Sequence, residues 1–110
     1  MPTELWFGLL FVITGSLALW GMVSHHPRIP AWVHRHDKIM HFVAFAMLAG
    51  LAQGALPRTA PLQLWAALAV LGLVAEGLQP VLSSRQFCWK DAIANAVGAA
   101  TVLGWLHWQA

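Results

Sequence analysis

The sequence predicts an all-α fold: an integral membrane four-helix bundle with both termini on the same side. Three observations carry this expectation. First, 59% of the 110 residues are hydrophobic and 9% are charged, whereas a soluble domain carries about 25% charged residues. So few charges could not solvate the surface of a chain this size. Second, the apolar residues fall into four runs, each close to the roughly 20 residues that a helix needs to cross a hydrocarbon core. Third, Trp6, Trp20, Trp65, Trp89, Trp105 and Trp108 stand near the ends of those runs, where amphipathic indoles settle at the headgroup level. The length fits a single domain, residues 1–110. A formal net charge of +2 is too small to argue for nucleic acid. The single cysteine, Cys88, cannot form an internal disulfide and reads as a small packing residue.

The first span covers residues 5–23. It is apolar on all sides, and Thr14 and Ser16 can bond back to the helix backbone. No basic stretch precedes it and no small-x-small site follows it, so it reads as a span rather than a cleaved leader. In residues 24–36, Pro27 and Pro30 break any helix, while Ile29, Trp32 and Val33 suit a segment lying along the interface. The second span covers residues 37–56. Asp37 is placed to cap it, and Gly50 and Gly54 form a small-xxx-small pair that lets a neighbouring helix approach. A turn at residues 57–61 leads to the third span, residues 62–82. There Pro80 clashes with the carbonyl of Glu76 and removes one helical bond, which predicts a kink or a loosened turn at the polar end. The fourth span, residues 91–108, has Asp91 in a capping position. Ala92, Ala96 and Ala100 run along one edge with Gly98 beside them, which predicts a helix in the middle of the bundle.

Counting spans places the start of the second, the end of the third and the start of the fourth at one face. Residues three or four apart share a helix face, so Asp37 and Lys38 with His41, Glu76 with Gln79, and Asp91 with Asn95 can point inward together. Arg85 lies between the last two pairs. An ionisable group near a helix centre costs roughly 2.5–3.5 kcal/mol on insertion scales, which makes a functional site the default reading. His41, Glu76 and Asp91 are the catalytic candidates, with His41 beside Asp37 as an oriented base. No Ser or Cys stands where a nucleophile elbow or an acyl-transfer triad would need it. Asp37, Lys38, Gln79, Arg85 and Asn95 are the ligand-binding candidates. A lysine point charge and an arginine fork suit phosphate or carboxylate, so the expected partners are membrane lipids, with a lipid phosphate foremost. His34-x-His36 with Asp37, His41 and Glu76 offers zinc-type ligands, but no spacing matches a signature such as His-Glu-x-x-His. Neither a metal site nor a cofactor is therefore expected.

Blander readings stay open. The cluster can be a structural network in which Arg85 pairs with Asp91, or Lys38 with Glu76, and the cations can simply snorkel toward lipid phosphates. The carboxylates and histidine can also relay protons in a small transporter, which four short helices would accommodate only as a dimer. Arg28, Arg35, Lys38, Arg85 and Lys90 on the motif side against Arg58 on the other put the motif side in the cytoplasm. With Lys38, Arg85 and Lys90 assigned to the site instead, the balance is two against one.

Asp37-Lys38-x-x-His41-Phe42, followed by Glu76-x-x-Gln79, Arg85, Asp91, Asn95 and Gly98, resembles the VanZ-like membrane protein family. The resemblance covers most of the chain, from about residue 37 to residue 98. It implies a small multi-pass protein of the bacterial cell membrane, with a polar intramembrane site and a link to resistance against the glycopeptide teicoplanin. It implies no particular reaction. The family tends to carry a second glycine four residues after Gly98, where this chain has Val102 with Gly104 nearby, and Cys88 stands where a serine is common.

Overall fold

The computed structural model describes residues 2–23, 37–82 and 89–109, and within them every side chain except those at 22, 23, 37, 79, 80 and 82. The described residues form four helices: α1 (Thr3–Val23), α2 (Asp37–Ala55), α3 (Pro61–Leu82) and α4 (Trp89–Gln109). Their order is up-down-up-down. Gly8 opposes Ala55 and Gly15 opposes Leu48, so α1 and α2 are antiparallel. His41 meets Asn95 and Gly50 faces Val102, so α2 and α4 run parallel. The start of α3 shares a groove with the end of α4, where Pro61 and Leu62 lie near Gly104 and His107. The start of α1 and the end of α4 therefore lie at one end of the bundle, together with the α2–α3 turn.

Three helices are long and apolar enough to cross a membrane: Thr3–Gly21, Lys38–Ala55 and Pro61–Leu78. The fourth expected span, α4, has the length but falls outside that group among the described residues. The reason lies in both faces. Asp91 and Asn95 are buried among Gly98 and Ala99, while Lys90, Thr101, His107 and Gln109 stand on the exposed side with Ile93, Val97, Trp105, Leu106 and Trp108. Polar residues inside and at the two ends thus lower the mean hydropathy, and the middle of the outer face stays largely apolar. In α1, Leu5, Leu9, Val12, Ile13 and Leu17 are exposed, and no residue of the window 3–21 is fully buried. Apolar exposure around a whole helix is what a lipid-facing helix requires.

The apolar core joins Phe45, Leu48, Ala49 and Ala52 of α2 with Leu64 and Leu68 of α3 and Ala99 and Leu103 of α4. The seam between α2 and α4 is the tightest. A Cβ built on Gly98 would collide with the carbonyl oxygen of Phe42 and stand 3.0 Å from its Cα. Backbone meets backbone there, and only a residue without a side chain fits. The expected alanine edge is displaced: Ala100 is exposed, and the buried stripe is Asp91, Ala92, Asn95, Gly98, Ala99 and Leu103. The helix is central, as expected, but its polar residues rather than its alanines set the inward face. Gly50 and Gly54 do not form one seam either. A Cβ on Gly50 would lie 3.6 Å from Val102 of α4, and one on Gly54 would lie 2.6 Å from the Phe7 ring of α1. Val102 is thus matched by a glycine on the opposing helix.

Two details of α3 add to the expectations. Trp65, one turn into the helix, is tied into the bundle. It is half-buried, and its Nε1 donates to the Ala96 carbonyl at 2.9 Å, tying α3 to α4. Trp6, Trp20, Trp89, Trp105 and Trp108 are exposed. In agreement with the expected span 62–82, α3 continues through Pro80 to Leu82. Proline has no N–H to donate to the Glu76 carbonyl one turn earlier.

Candidate functional site

Each polar residue arrives from its helix by simple spacing. His41 lies one turn into α2, and Glu76 lies six residues before the end of α3. Asp91 is in the first turn of α4, and Asn95 one turn further on. At a rise of about 1.5 Å per residue these positions are roughly 3–9 Å inside the helix ends. The antiparallel α2–α3 and α3–α4 arrangement brings them to the same level, at the end opposite the α2–α3 turn.

There the four side chains pack as one buried group. Their relative exposures are 3% for His41, 0% for Glu76, 1% for Asp91 and 0% for Asn95. His41 is the hub. Its Nδ1 lies 2.8 Å from Asn95 Oδ1 and 3.4 Å from Glu76 Oε1, and its Nε2 lies 3.6 Å from Asp91 Oδ2. An amide oxygen only accepts, so the Nδ1–H donates to Asn95. Lys38, half-exposed at the rim, brings its Nζ to 3.5 Å from Asp91 Oδ1. The two oxygens of one carboxylate thus serve different partners: one faces the rim and the other faces the imidazole. Burial of this depth is costly for charged groups unless they are paired, and the network among three helices supplies that pairing.

Of the eight candidate residues, the structure brings together Lys38, His41, Glu76, Asp91 and Asn95. Asp37 opens α2 and Gln79 lies in α3, but their side chains fall outside the described ones, and Arg85 lies outside the described residues altogether. The same holds for Cys88 and for His25, His26, His34 and His36. The expected pairing of Lys38 with Glu76 is replaced by Lys38 with Asp91. Asp91 does not act as a helix cap: α4 begins two residues earlier, at Trp89, which turns the carboxylate inward. Its place in the first turn still lets the helix dipole favour its negative charge.

Spacing alone misses one residue, Gly72. It sits on α3 opposite Asn95, and a Cβ there would stand 3.0 Å from Asn95 Nδ2 and 3.3 Å from the Phe45 ring. The gap it leaves lets the amide reach the imidazole. A glycine within an apolar run gives no hint of which residue on another helix needs the room.

An apolar groove of about 280 Å³ runs beside the site, between α1, α2 and α3. Phe11, Gly15 and Leu19 line one wall, Phe45 and Leu48 another, and Leu71 and Ala75 a third. Ala75 precedes Glu76 in α3, and Phe45 lies one turn beyond His41 in α2, so the groove and the polar group draw on neighbouring residues of the same two helices.

This fold and site define a helical membrane-type bundle with a histidine–carboxylate cluster buried at one end. Compared with family models, with curated proteins and with solved structures, the chain gives no match.

Proposed function

We propose that this chain is a multi-pass protein of the bacterial inner membrane that binds an anionic envelope amphiphile. Its headgroup sits at the rim of the polar cluster and an acyl chain lies in the adjoining groove. The observation that carries the reading is that neighbourhood: an apolar groove is lined by Ala75 and Phe45, which stand next to Glu76 and one turn from His41, and the buried His41–Glu76–Asp91–Asn95 group bears Lys38 at its rim. Lysine acts as a point charge toward phosphate, and Arg85, from its place in the sequence, is the candidate for a bidentate fork. His41, held by Asn95 and flanked by two carboxylates, is equipped to give or take a proton should the bound molecule be modified. The resemblance to VanZ-like proteins extends this reading to teicoplanin, which carries a lipid tail. A protein that binds or alters surface amphiphiles would change the drug's access to its target.

The test is native mass spectrometry of protein purified in mild detergent, wild type beside Lys38→Ala, Arg85→Ala and Glu76→Gln. A defined anionic lipid retained by wild type and lost by the well-folded variants is expected. In a susceptible bacterium, the same variants should lose any teicoplanin resistance that wild type confers. Equal lipid retention in all four proteins would overturn the reading.

A second reading has its own observation. The His41–Asn95 bond joins α2 to α4 at the tightest seam of the fold, so the cluster can serve as a structural clasp in a membrane scaffold. In that case Glu76→Gln and His41→Ala proteins would be depleted from the membrane or would aggregate, instead of folding normally without lipid.

A further inference from the structure

We propose that His41, Glu76 and Asp91 form a divalent transition-metal site, with Zn²⁺ or Mn²⁺ as the fitting ions. The inference stands independently of the lipid reading. Three observations carry it.

The first is convergence. Each of the three residues offers one ligand atom, these atoms all lie within 4.8 Å of one another, and all three residues are buried. They come from three different helices, so the cluster is a product of packing rather than a run of acidic residues on one surface. The second is orientation of the imidazole. A metal-bound histidine usually donates its other ring N–H to an oxygen acceptor, which fixes tautomer and ring plane. The Nδ1 contact with Asn95 Oδ1 at 2.8 Å is of that kind, and it directs the Nε2 lone pair to the Asp91 side. Glu76, whose Oε1 stands 3.4 Å from Nδ1, joins the set through the common 4.8 Å spacing of the ligand atoms and must turn toward Nε2 to bind the same ion. The third is spacing. Nε2 and Asp91 Oδ2 are 3.6 Å apart. That is long for a charge-assisted hydrogen bond of about 2.7–2.9 Å. It is close to the roughly 3.4 Å edge that two ligands subtend across a tetrahedral zinc with bonds of about 2.0–2.2 Å.

The donor set selects the ion class. One imidazole and two carboxylates suit borderline ions, whereas Ca²⁺ and Mg²⁺ prefer oxygen alone and Cu⁺ prefers sulfur. Asp91 can ligate through Oδ2 while Oδ1 stays with Lys38, which makes Lys38 a partner of the ligand rather than a ligand. Three protein ligands leave a further coordination position, the pattern of sites that accept water or an oxygen of a bound molecule. Such an ion would also offset the negative charge of Glu76 and Asp91.

The experiment uses the full chain in mild detergent, stripped with EDTA and titrated with Co²⁺ and Zn²⁺ in parallel, with Mn²⁺ binding followed by electron paramagnetic resonance. One equivalent should bind, with Co²⁺ visible bands of four- or five-coordinate N/O type that Zn²⁺ displaces. His41→Gln, Glu76→Gln and Asp91→Asn should each weaken binding by more than about 100-fold, and Asn95→Ala by about 10–100-fold, the range for partners behind a ligand. His107→Ala removes a histidine at the opposite, exposed end and should leave binding unchanged. X-ray absorption of the zinc-loaded wild type gives a reading that needs no variant: one imidazole with oxygen neighbours is expected. A shell of two or more imidazoles would assign the metal to the other histidines and overturn the proposal, as would failure of all three ions to bind. Lipid retention, read separately by native mass spectrometry, can fail while metal binding succeeds, and the converse holds.

Discussion

The two ends of the α2–α4 seam are built on different principles. At the end that carries the polar cluster, Gly98 brings α4 against the Phe42 backbone, and Asn95 and Asp91 meet His41 through directional contacts. At the other end, Gly50 faces Val102, and Ala49, Ala52 and Leu103 fill space by size. The closest approach thus lies where the polar groups are, not where the apolar core is largest. A polar contact depends steeply on distance and angle, while an apolar one tolerates small shifts. The tight glycine contact is therefore the device that holds the polar group in register.

The sharpest way to break this asymmetry is a matched pair of glycine substitutions. Gly98→Ala forces a Cβ into the Phe42 carbonyl, a backbone atom that cannot turn aside. Overpacking of this kind costs about 1–3 kcal/mol, occasionally more, and the upper end is expected here. Gly50→Ala puts a methyl at 3.6 Å from Val102, an ordinary contact, and should be tolerated within about 0.5 kcal/mol. Thermal melts in detergent decide. Equal destabilisation by the two would mean that the seam is uniform.

Of comparable size is the contrast between Leu48→Ala and Asn95→Ala. Leu48 is 3% exposed within the apolar cluster, and its truncation should cost about 2–5 kcal/mol. Polar contacts between membrane helices average about 0.6 kcal/mol and reach about 1.7. Asn95→Ala should therefore lower the melting temperature less than Leu48→Ala, while it disturbs ligand or metal binding more. If Asn95→Ala proves the more destabilising, the polar group is a clasp and the structural reading prevails.

How much of this was readable from the sequence follows from the same contrast. The four helices and their antiparallel order came from apolar run lengths, which burial in lipid makes nearly unambiguous. Span counting likewise put Lys38, His41, Glu76, Asp91 and Asn95 at one level. Which of them touch was not readable, because contacts between helices depend on rotation about each axis. Asp91 shows why: shifting the helix start by two residues turns a capping carboxylate into a buried one. Val102 shows it again, since the glycine that accommodates it is on another helix. The grouping behind the proposed metal site was not readable for a related reason. Signatures are recognised by spacing along one element, and His41, Glu76 and Asp91 come from three.

The α3–α4 contact offers a further test, because Trp65 carries both kinds of interaction. Trp65→Phe keeps most of the ring against the core but removes the Nε1 donor to Ala96. The expected loss is about 0.5–1.5 kcal/mol, seen as a lower melting temperature with unchanged monodispersity. A larger loss would mean that directional bonding matters away from the polar cluster too, and the contrast between the ends would weaken.

The smallest effect is expected at the turn. Gln53 Nε2 lies 3.2 Å from the Leu56 carbonyl and 3.2 Å from that of Thr59, closing the end of α2 where backbone acceptors run out of partners. The contact with Leu56 is exposed, so water can replace the amide, and Gln53→Ala should cost under about 1 kcal/mol. The change should be local: faster amide hydrogen exchange at residues 56–60, with the protection of α4 and the binding properties of His41 unaltered. Faster exchange spreading to residues 91–99 would show that the apolar end transmits to the polar one, and that the two ends are one cooperative unit.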